Sequence, residues 1–375
     1  MPVLQRPTLW PHVRRWDAAA TGMPGILTLD AGPRLVLDND LIHQVLTRPD
    51  RYREQSAFLR TRSFDPLPTV ERRQVIRGLM TALTAQPPAV ANVPSALLTA
   101  GRGYRTQHWG ILLMRHLHGP GLNRSGDAEL DRLIDFYVHR KTISDDVAGG
   151  FRRFEGAPRD SLHLRTGLAV EQVAAQSPGQ DLATVVAGLG ELLPPLEKGE
   201  LYLRLVQSIV AFTGSAFEWN VVAAARDPRF RARLRAGEDI SGYLHEAQRL
   251  FPTAWRLGRV VEQPHVLGPF SLRPGDELIL ATTAIHRAEA EWEDATASRP
   301  QRWDGVRPAT LRAYAPFGRG QGMCPGRELA MQTMELCLRH LFDRFDVRVR
   351  RTLHRRPYVR SILAAPRMRF RLVPR

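Results

Sequence analysis

Ala315-Pro-Phe-Gly-Arg-Gly-Gln-Gly-Met-Cys-Pro-Gly-Arg327 is the stretch whose reading decides the fold. Glycines 318, 320 and 322 let the backbone turn sharply and come close to something flat and bulky. Cys324 follows at once, then Pro325-Gly326, then a helical pattern from Arg327 to Phe345. A thiol placed just ahead of a helix faces backbone N–H donors and the positive end of the helix dipole. Both favour the thiolate, which is the metal-binding form of cysteine.

No second cysteine or histidine stands at metal spacing from Cys324, so a zinc cage is not expected. A single axial thiolate to haem iron fits this arrangement better. The second cysteine, Cys337, falls on a stripe with Ala330, Met334 and Leu341 at spacings of four, three and four. That stripe is one face of an amphipathic helix, and Cys337 belongs to the core.

The pattern Phe-x-x-Gly-x-x-x-Cys-x-Gly is met at Phe317, Gly320, Cys324 and Gly326. With it the sequence resembles the cytochrome P450 family along nearly the whole chain. The resemblance implies a mainly helical fold with small β-sheets, a triangular helical prism enclosing haem b. It makes Cys324 the metal ligand and Phe317, Gly318, Gly320 and Gly326 the bed of the cofactor. A Glu-x-x-Arg motif appears at Glu246-Ala-Gln-Arg249, on a helix expected from Asp239 to Leu250. Alone it means little, since Glu and Arg three apart are ordinary helix neighbours. Its order before Arg299-Pro-Gln-Arg-Trp303 and Cys324 gives it weight. In the family these residues form a structural Glu-Arg-Arg network, here Glu246, Arg249 and Arg302.

Haem propionates need cations. The resemblance assigns one to Arg259, on the strand after the Glu-x-x-Arg helix. Others come from Arg73 and Arg77, one turn apart in Glu71-Arg-Arg-Gln-Val-Ile-Arg77. A third family partner, two residues before the cysteine, would fall on Gly322, which carries no side chain. Arg319 is a candidate substitute.

The longest apolar run, Leu201 to Ala225, reads as a helix buried at the centre of the molecule. Where the family carries an Ala-Gly-x-acid-Thr pattern, this chain has Ser208-Ile-Val-Ala-Phe-Thr213. Ala211 replaces the acid and Phe212 the alcohol. Aliphatic and phenyl groups cannot relay protons. Thr213 is the nearest hydroxyl, but one residue turns a helix by about 100°. Three accounts stand: the substrate supplies the missing hydroxyl or acid; the chemistry is peroxide-driven, a radical coupling or a rearrangement; or the helix is locally distorted, so that Thr213 or Ser215 takes the expected place. In each, Phe212 narrows the pocket. Further positioning residues are expected from the loop Ser56 to Pro68 and from Pro252 to Arg256.

Composition supplies bounds. The chain has 375 residues, 43% apolar and 24% charged, enough for a large core. It carries 53 basic against 38 acidic residues, net +15, and only Lys141 and Lys198 among the basic ones are lysines. The arginines are scattered rather than gathered in a tail or on one helix face, which argues against specific nucleic-acid binding. No run of about 18 apolar residues marks a membrane span. The stretch Met1 to Arg15 has prolines and charges instead of a signal-peptide core. A single domain over 1–375 is expected, monomeric and cytoplasmic.

The expected activity is monooxygenation of a small organic, biosynthetic substrate with dioxygen. No flavin or iron–sulfur motif is present in the chain, so electrons would come from a separate ferredoxin- or flavodoxin-type donor. Arg327, Arg339 and Arg344 suit such docking. From another class, a non-catalytic haem-binding sensor remains open.

Overall fold

Local signals in the chain set most of the element boundaries. Asp38 accepts from the Leu41 amide at 2.9 Å and so caps helix Asn39–Thr47. Its Ile42, Val45 and Leu46 turn inward. Helix Thr69–Thr84 begins at Thr69 itself. Asp227 accepts from the amides of Arg229 and Phe230, and Pro228 occupies the first turn. Asp227-Pro228 therefore ends one helix and opens another, Pro228–Ala236, which Gly237 closes at φ 71°.

The computed structural model describes residues 26–28, 33–54, 69–85, 90–93, 104–105, 109–110, 113–114, 117, 126–134, 157–176, 181–351, 358–359, 362–365 and 368–375. The loop Ser56 to Pro68 and most of the pattern Glu129 to Lys141 lie outside them. Two compact units emerge from packing: Met1–Ala57, Asp227–Cys324 and Arg356–Ala364 form one, and Phe58–Arg226, Pro325–Arg355 and Ala365–Arg375 the other.

The first unit holds a five-stranded sheet in the order Ile26–Thr28, Arg34–Val36, Glu277–Leu280, Leu257–Val261, Tyr52–Glu54. Ile26–Thr28 and Arg34–Val36 pair antiparallel, with Ile26 opposite Val36. Leu35, Val36, Leu278, Ile279 and Leu280 are buried, each contributing roughly 1.5–3 kcal/mol of burial. Gly268, at φ 56°, turns the chain between His265–Leu267 and Phe270–Leu272.

The second unit centres on a helical rod built from Pro195–Ser208, Ile209–Thr213 and Gly214–Arg226. It starts six residues earlier than the apolar run suggested, because Pro195 serves its first turn. The middle segment has π geometry. Helix Ala157–Gln176 packs on the rod through two glycines. A Cβ on Gly167 would lie 1.7 Å from the Pro195 carbonyl oxygen, and one on Gly199 1.8 Å from that of His163. Helix Arg327–Arg344 contributes Leu329, Met334, Cys337, Leu338 and Leu341 to the core. Strand Phe345–Arg351 then pairs with Met368–Pro374, with Phe370 opposite Val349.

Candidate haem site

The loop Ala315–Cys324 is shaped by backbone hydrogen bonds. Gly318 N–H donates to the Ala315 carbonyl at 3.1 Å, and Met323 N–H to Gly320 at 3.2 Å. Cys324 N–H donates to the Phe317 carbonyl at 2.8 Å, which closes the loop back on its own start. Gly318 and Gly320 hold φ 72° and 64°, the left-handed region where a side chain is strained. At Gly320 a Cβ would also stand 3.1 Å from the Leu46 carbonyl oxygen. Phe317 is partly buried, and the turn delivers Met323 and Cys324 to the surface. Gly326 is the N-cap of helix Arg327–Arg344, two residues beyond the thiol.

The two cysteines contrast. Cys324 is exposed, while Cys337 is buried and its thiol is pushed far up by that burial. Cys337 is inert core, as its stripe indicated.

Glu246 and Arg249 form a bidentate pair, Nε to Oε2 at 2.9 Å and Nη2 to Oε1 at 2.8 Å. Arg302 Nε reaches the same Oε1 at 3.1 Å, so the expected network is assembled. It is larger than the motif announced. The Arg299 amide donates to Oε1 at 2.8 Å and the Trp303 indole to Oε2 at 3.0 Å. Arg249 spends its remaining donors on the carbonyls of His286, Ala295 and Ala297. Burial, the largest single influence, would raise the Glu246 pKa, but Arg249, the Arg299 amide and Arg302 together outweigh it and hold the carboxyl below its ordinary value.

Arg259 is buried on its strand. Its Nη1 donates to the Gly258 carbonyl at 2.9 Å, and its Nη2 lies 3.8 Å from Glu54, its cross-strand partner. Arg73 is half-buried and Arg77 exposed on helix Thr69–Thr84. Arg319 is not a free cation for a propionate. Its guanidinium binds the carbonyls of Ala309 at 3.3 Å, Tyr314 at 3.1 Å and Leu311. Burial, then the Arg312 charge, lowers its pKa.

In the rod, residues 201–222 are buried apart from Ser208 and Phe212. Phe212 is 38% exposed, while Ala211 and Thr213 are 3% and 4%. The hydroxyl expected to be nearest the chemistry is thus in the wall, and the accessible one is Ser208, four residues before Phe212. Only the spacing of these two along a helix face could have signalled it. Ile209–Thr213 is where the local distortion occurs, and π turns of this kind cluster at functional sites. Glu218, further along, is 1% exposed and accepts from the Gly110 amide at 3.0 Å. Burial raises its pKa well above its ordinary value, against the lowering effect of the Gly110 amide.

These donors suit haem: one accessible thiol on a glycine-shaped loop, cationic side chains, and no cluster of three or more His, Cys, Asp or Glu among the described residues that could hold another metal. Comparison with known proteins agrees. The chain superposes on the versatile cytochrome P450 enzyme CYP109B1 from Bacillus subtilis with a TM-score of 0.74, at 16% identity, covering 97% of this chain and 99% of that one. A mutant of P450 EryK in complex with erythromycin B gives 0.75 at 16% identity, covering 97% and 96%. The fold is that of the cytochromes P450. Residues 241–371 match the family model described as cytochrome P450, so the sequence likeness to that family lies in this C-terminal part of the chain.

Among curated relatives, the mitochondrial 1,25-dihydroxyvitamin D(3) 24-hydroxylase of Mus musculus is 29% identical over 175 residues, 40% of this chain and 34% of that protein. Putative cytochrome P450 137 of Mycobacterium tuberculosis (strain CDC 1551 / Oshkosh) is 28% identical over 196 residues, 50% and 41%. The chain spans between about a third and two fifths of the length of these relatives.

Proposed function

We propose that this chain is a haem-thiolate monooxygenase acting as a single domain on a small organic, biosynthetic substrate. The observation that carries the reading is the accessible Cys324 on a loop closed by the Phe317 carbonyl. Haem b, when bound, supplies the iron centre for dioxygen activation, and thiolate ligation favours O–O cleavage. Cys324 would be its ligand, Phe317, Gly318, Gly320 and Gly326 its bed, and Arg259, Arg73 and Arg77 the propionate partners. Arg259 would exchange its long contact to Glu54 for a closer anion. The Glu246–Arg249–Arg302 network does no chemistry; it holds the segment that leads to the cysteine loop.

On the substrate side, Phe212 presents its ring and restricts what can approach. Ser208 is the hydroxyl able to hold a water there, and Ala211 and Thr213 support the turn from within. The π geometry of Ile209–Thr213 supports a local distortion of the helix, but Thr213 and Ser215, the hydroxyls that account relied on, are buried. Peroxide use, radical coupling or rearrangement is the second reading. It is favoured because Ser208-Ile-Val-Ala-Phe-Thr213 carries no acid and Glu218, further along the rod, is buried.

Electrons would arrive from a separate acidic ferredoxin or flavodoxin. Of the three docking arginines, Arg327 and Arg339 are engaged by Glu328 at 3.3 Å and Glu335 at 2.7 Å, whereas Arg344 is exposed. No helix among the described residues is long and apolar enough to cross a membrane, and we place the protein in the cytoplasm as a monomer.

The absorption spectrum of the reduced protein under carbon monoxide tests the assignment. A red-shifted thiolate-type Soret band, lost in Cys324→Ala, is expected; well-folded protein without haem rejects it. Turnover with ferredoxin against hydrogen peroxide separates the two catalytic readings. Bound haem with no product from either donor would mark the sensor.

A further inference from the structure

His286 is completely buried, and its two ends make different bonds. Its backbone carbonyl accepts from Arg249 Nη1 at 2.6 Å. Its ring Nε2 accepts from the Ala315 N–H at 2.8 Å, the first amide of the cysteine loop. An amide can only donate, so Nε2 is bare and the proton sits on Nδ1. Nδ1 is buried without a hydrogen-bond partner, and an unmet buried donor is unfavourable. The ring lies against Tyr314 at 5.6 Å between centroids, and Tyr314 is itself bonded to His245 Nδ1 at 2.9 Å. The site tolerates an unsatisfied donor in order to present an acceptor.

We propose that His286 is the positioning residue of the cysteine loop, tying the Arg249 hub to Ala315 and so fixing where the loop begins and where Cys324 ends up. The bonds run without a break: Glu246 to Arg249, Arg249 to the His286 carbonyl, the His286 ring to Ala315, and the Ala315 carbonyl to Gly318. Phe317, within that turn, then receives the Cys324 amide. A residue that merely filled volume would not need a nitrogen acceptor facing Ala315. The role of the sulfur rests on the haem-thiolate reading above; the role of His286 in ordering the loop does not.

The test compares His286→Phe, which keeps a ring and loses the acceptor, with His286→Gln, which can restore an acceptor near the same place. Amide hydrogen exchange on the full-length protein as purified is followed at Ala315 and Cys324, with the amides of Arg249 and Leu250 as controls. His286→Phe should speed exchange at both loop amides at least tenfold and leave the controls within twofold. His286→Gln should stay within threefold of the parent throughout. In haem-loaded protein, the thiolate-type carbon monoxide band should fall by more than half in His286→Phe alone. Loop exchange unchanged in His286→Phe overturns the proposal. So does equal damage in both variants, through loosening or through failure to fold, because the acceptor would then not be what matters. A parent protein lacking the thiolate band would instead reject the ligand assignment, leaving the exchange result to judge His286.

Discussion

Trp303 donates its indole N–H to Glu246 Oε2 at 3.0 Å, so an aromatic ring from a 3₁₀ turn shares one buried carboxylate with two guanidinium groups. Glu246→Gln keeps the shape but removes the charge opposite fully buried Arg249. A loss of about 3–5 kcal/mol is expected, the usual consequence of stranding a buried ion. Trp303→Phe removes one charge-assisted bond and should cost about 1.5–3 kcal/mol. Urea unfolding midpoints of the two variants check both figures, and the order must be Glu246→Gln worse than Trp303→Phe.

The crossing of helix Ala157–Gln176 over the central rod predicts a sharp sensitivity. In Gly199→Ala the new Cβ would meet the His163 carbonyl oxygen at 1.8 Å, backbone against backbone. The helices must part. We expect at least about 3 kcal/mol of destabilisation, the upper end of overpacking costs. Gly188→Ala, whose Cβ would find its nearest neighbour at 3.4 Å, is the control and should be nearly silent.

Glu218 predicts a pH dependence whose sign is fixed by its raised pKa. Between the unfolded carboxyl value near 4.5 and the folded one, the native state binds more protons than the unfolded chain. Stability therefore falls as pH rises through that window, by up to about 1.4 kcal/mol per pH unit for one proton. Glu218→Gln keeps an acceptor for Gly110 and removes the titration. Its stability relative to the parent should be level near pH 4 and increasingly favourable above it, as read from thermal midpoints in a pH series.

The open face of the rod separates two hydroxyls. Ser208→Ala should lower product formed per electron consumed by at least about tenfold if that hydroxyl holds the catalytic water. Thr213→Ala, buried in the wall, should change it less than threefold while lowering thermal stability. Phe212→Ala should cost only about 1–2 kcal/mol, below the 3–5 typical of a fully buried ring, and should tighten binding of bulkier ligands in spectral titrations. Equal coupling losses from Ser208→Ala and Thr213→Ala would contradict this division.

Much of the architecture was legible because particular residues carry strong local signals. Asp38 opens a helix that ends before Pro49, and the glycines around Cys324 announce a tightly turned loop. The Glu246, Arg249 and Arg302 network could be anticipated from order along the chain. Other features have no such signature. Helix Pro228–Ala236 has arginine at every second position and only Phe230 and Leu234 facing inward, too little apolar stripe to stand out. A π turn requires no particular residue, so its presence at Ile209–Thr213 was not readable. Arg319 looked available because its acceptors are backbone carbonyls five to ten residues before it, which no side-chain pattern marks. His286 was hidden for the same reason: its partner, Ala315, lies 29 positions away and contributes only an amide.

Arg249 gathers carbonyls from positions 286, 295 and 297, within a stretch of turns and short helical pieces rather than long regular elements. Those turns are spokes on a single axle, and their length is metered by it. Ordinarily an irregular segment is where a protein absorbs insertions and deletions most cheaply. Here, adding or removing one residue between 286 and 297 would pull a spoke from its socket, making this irregular stretch among the least forgiving places to change chain length.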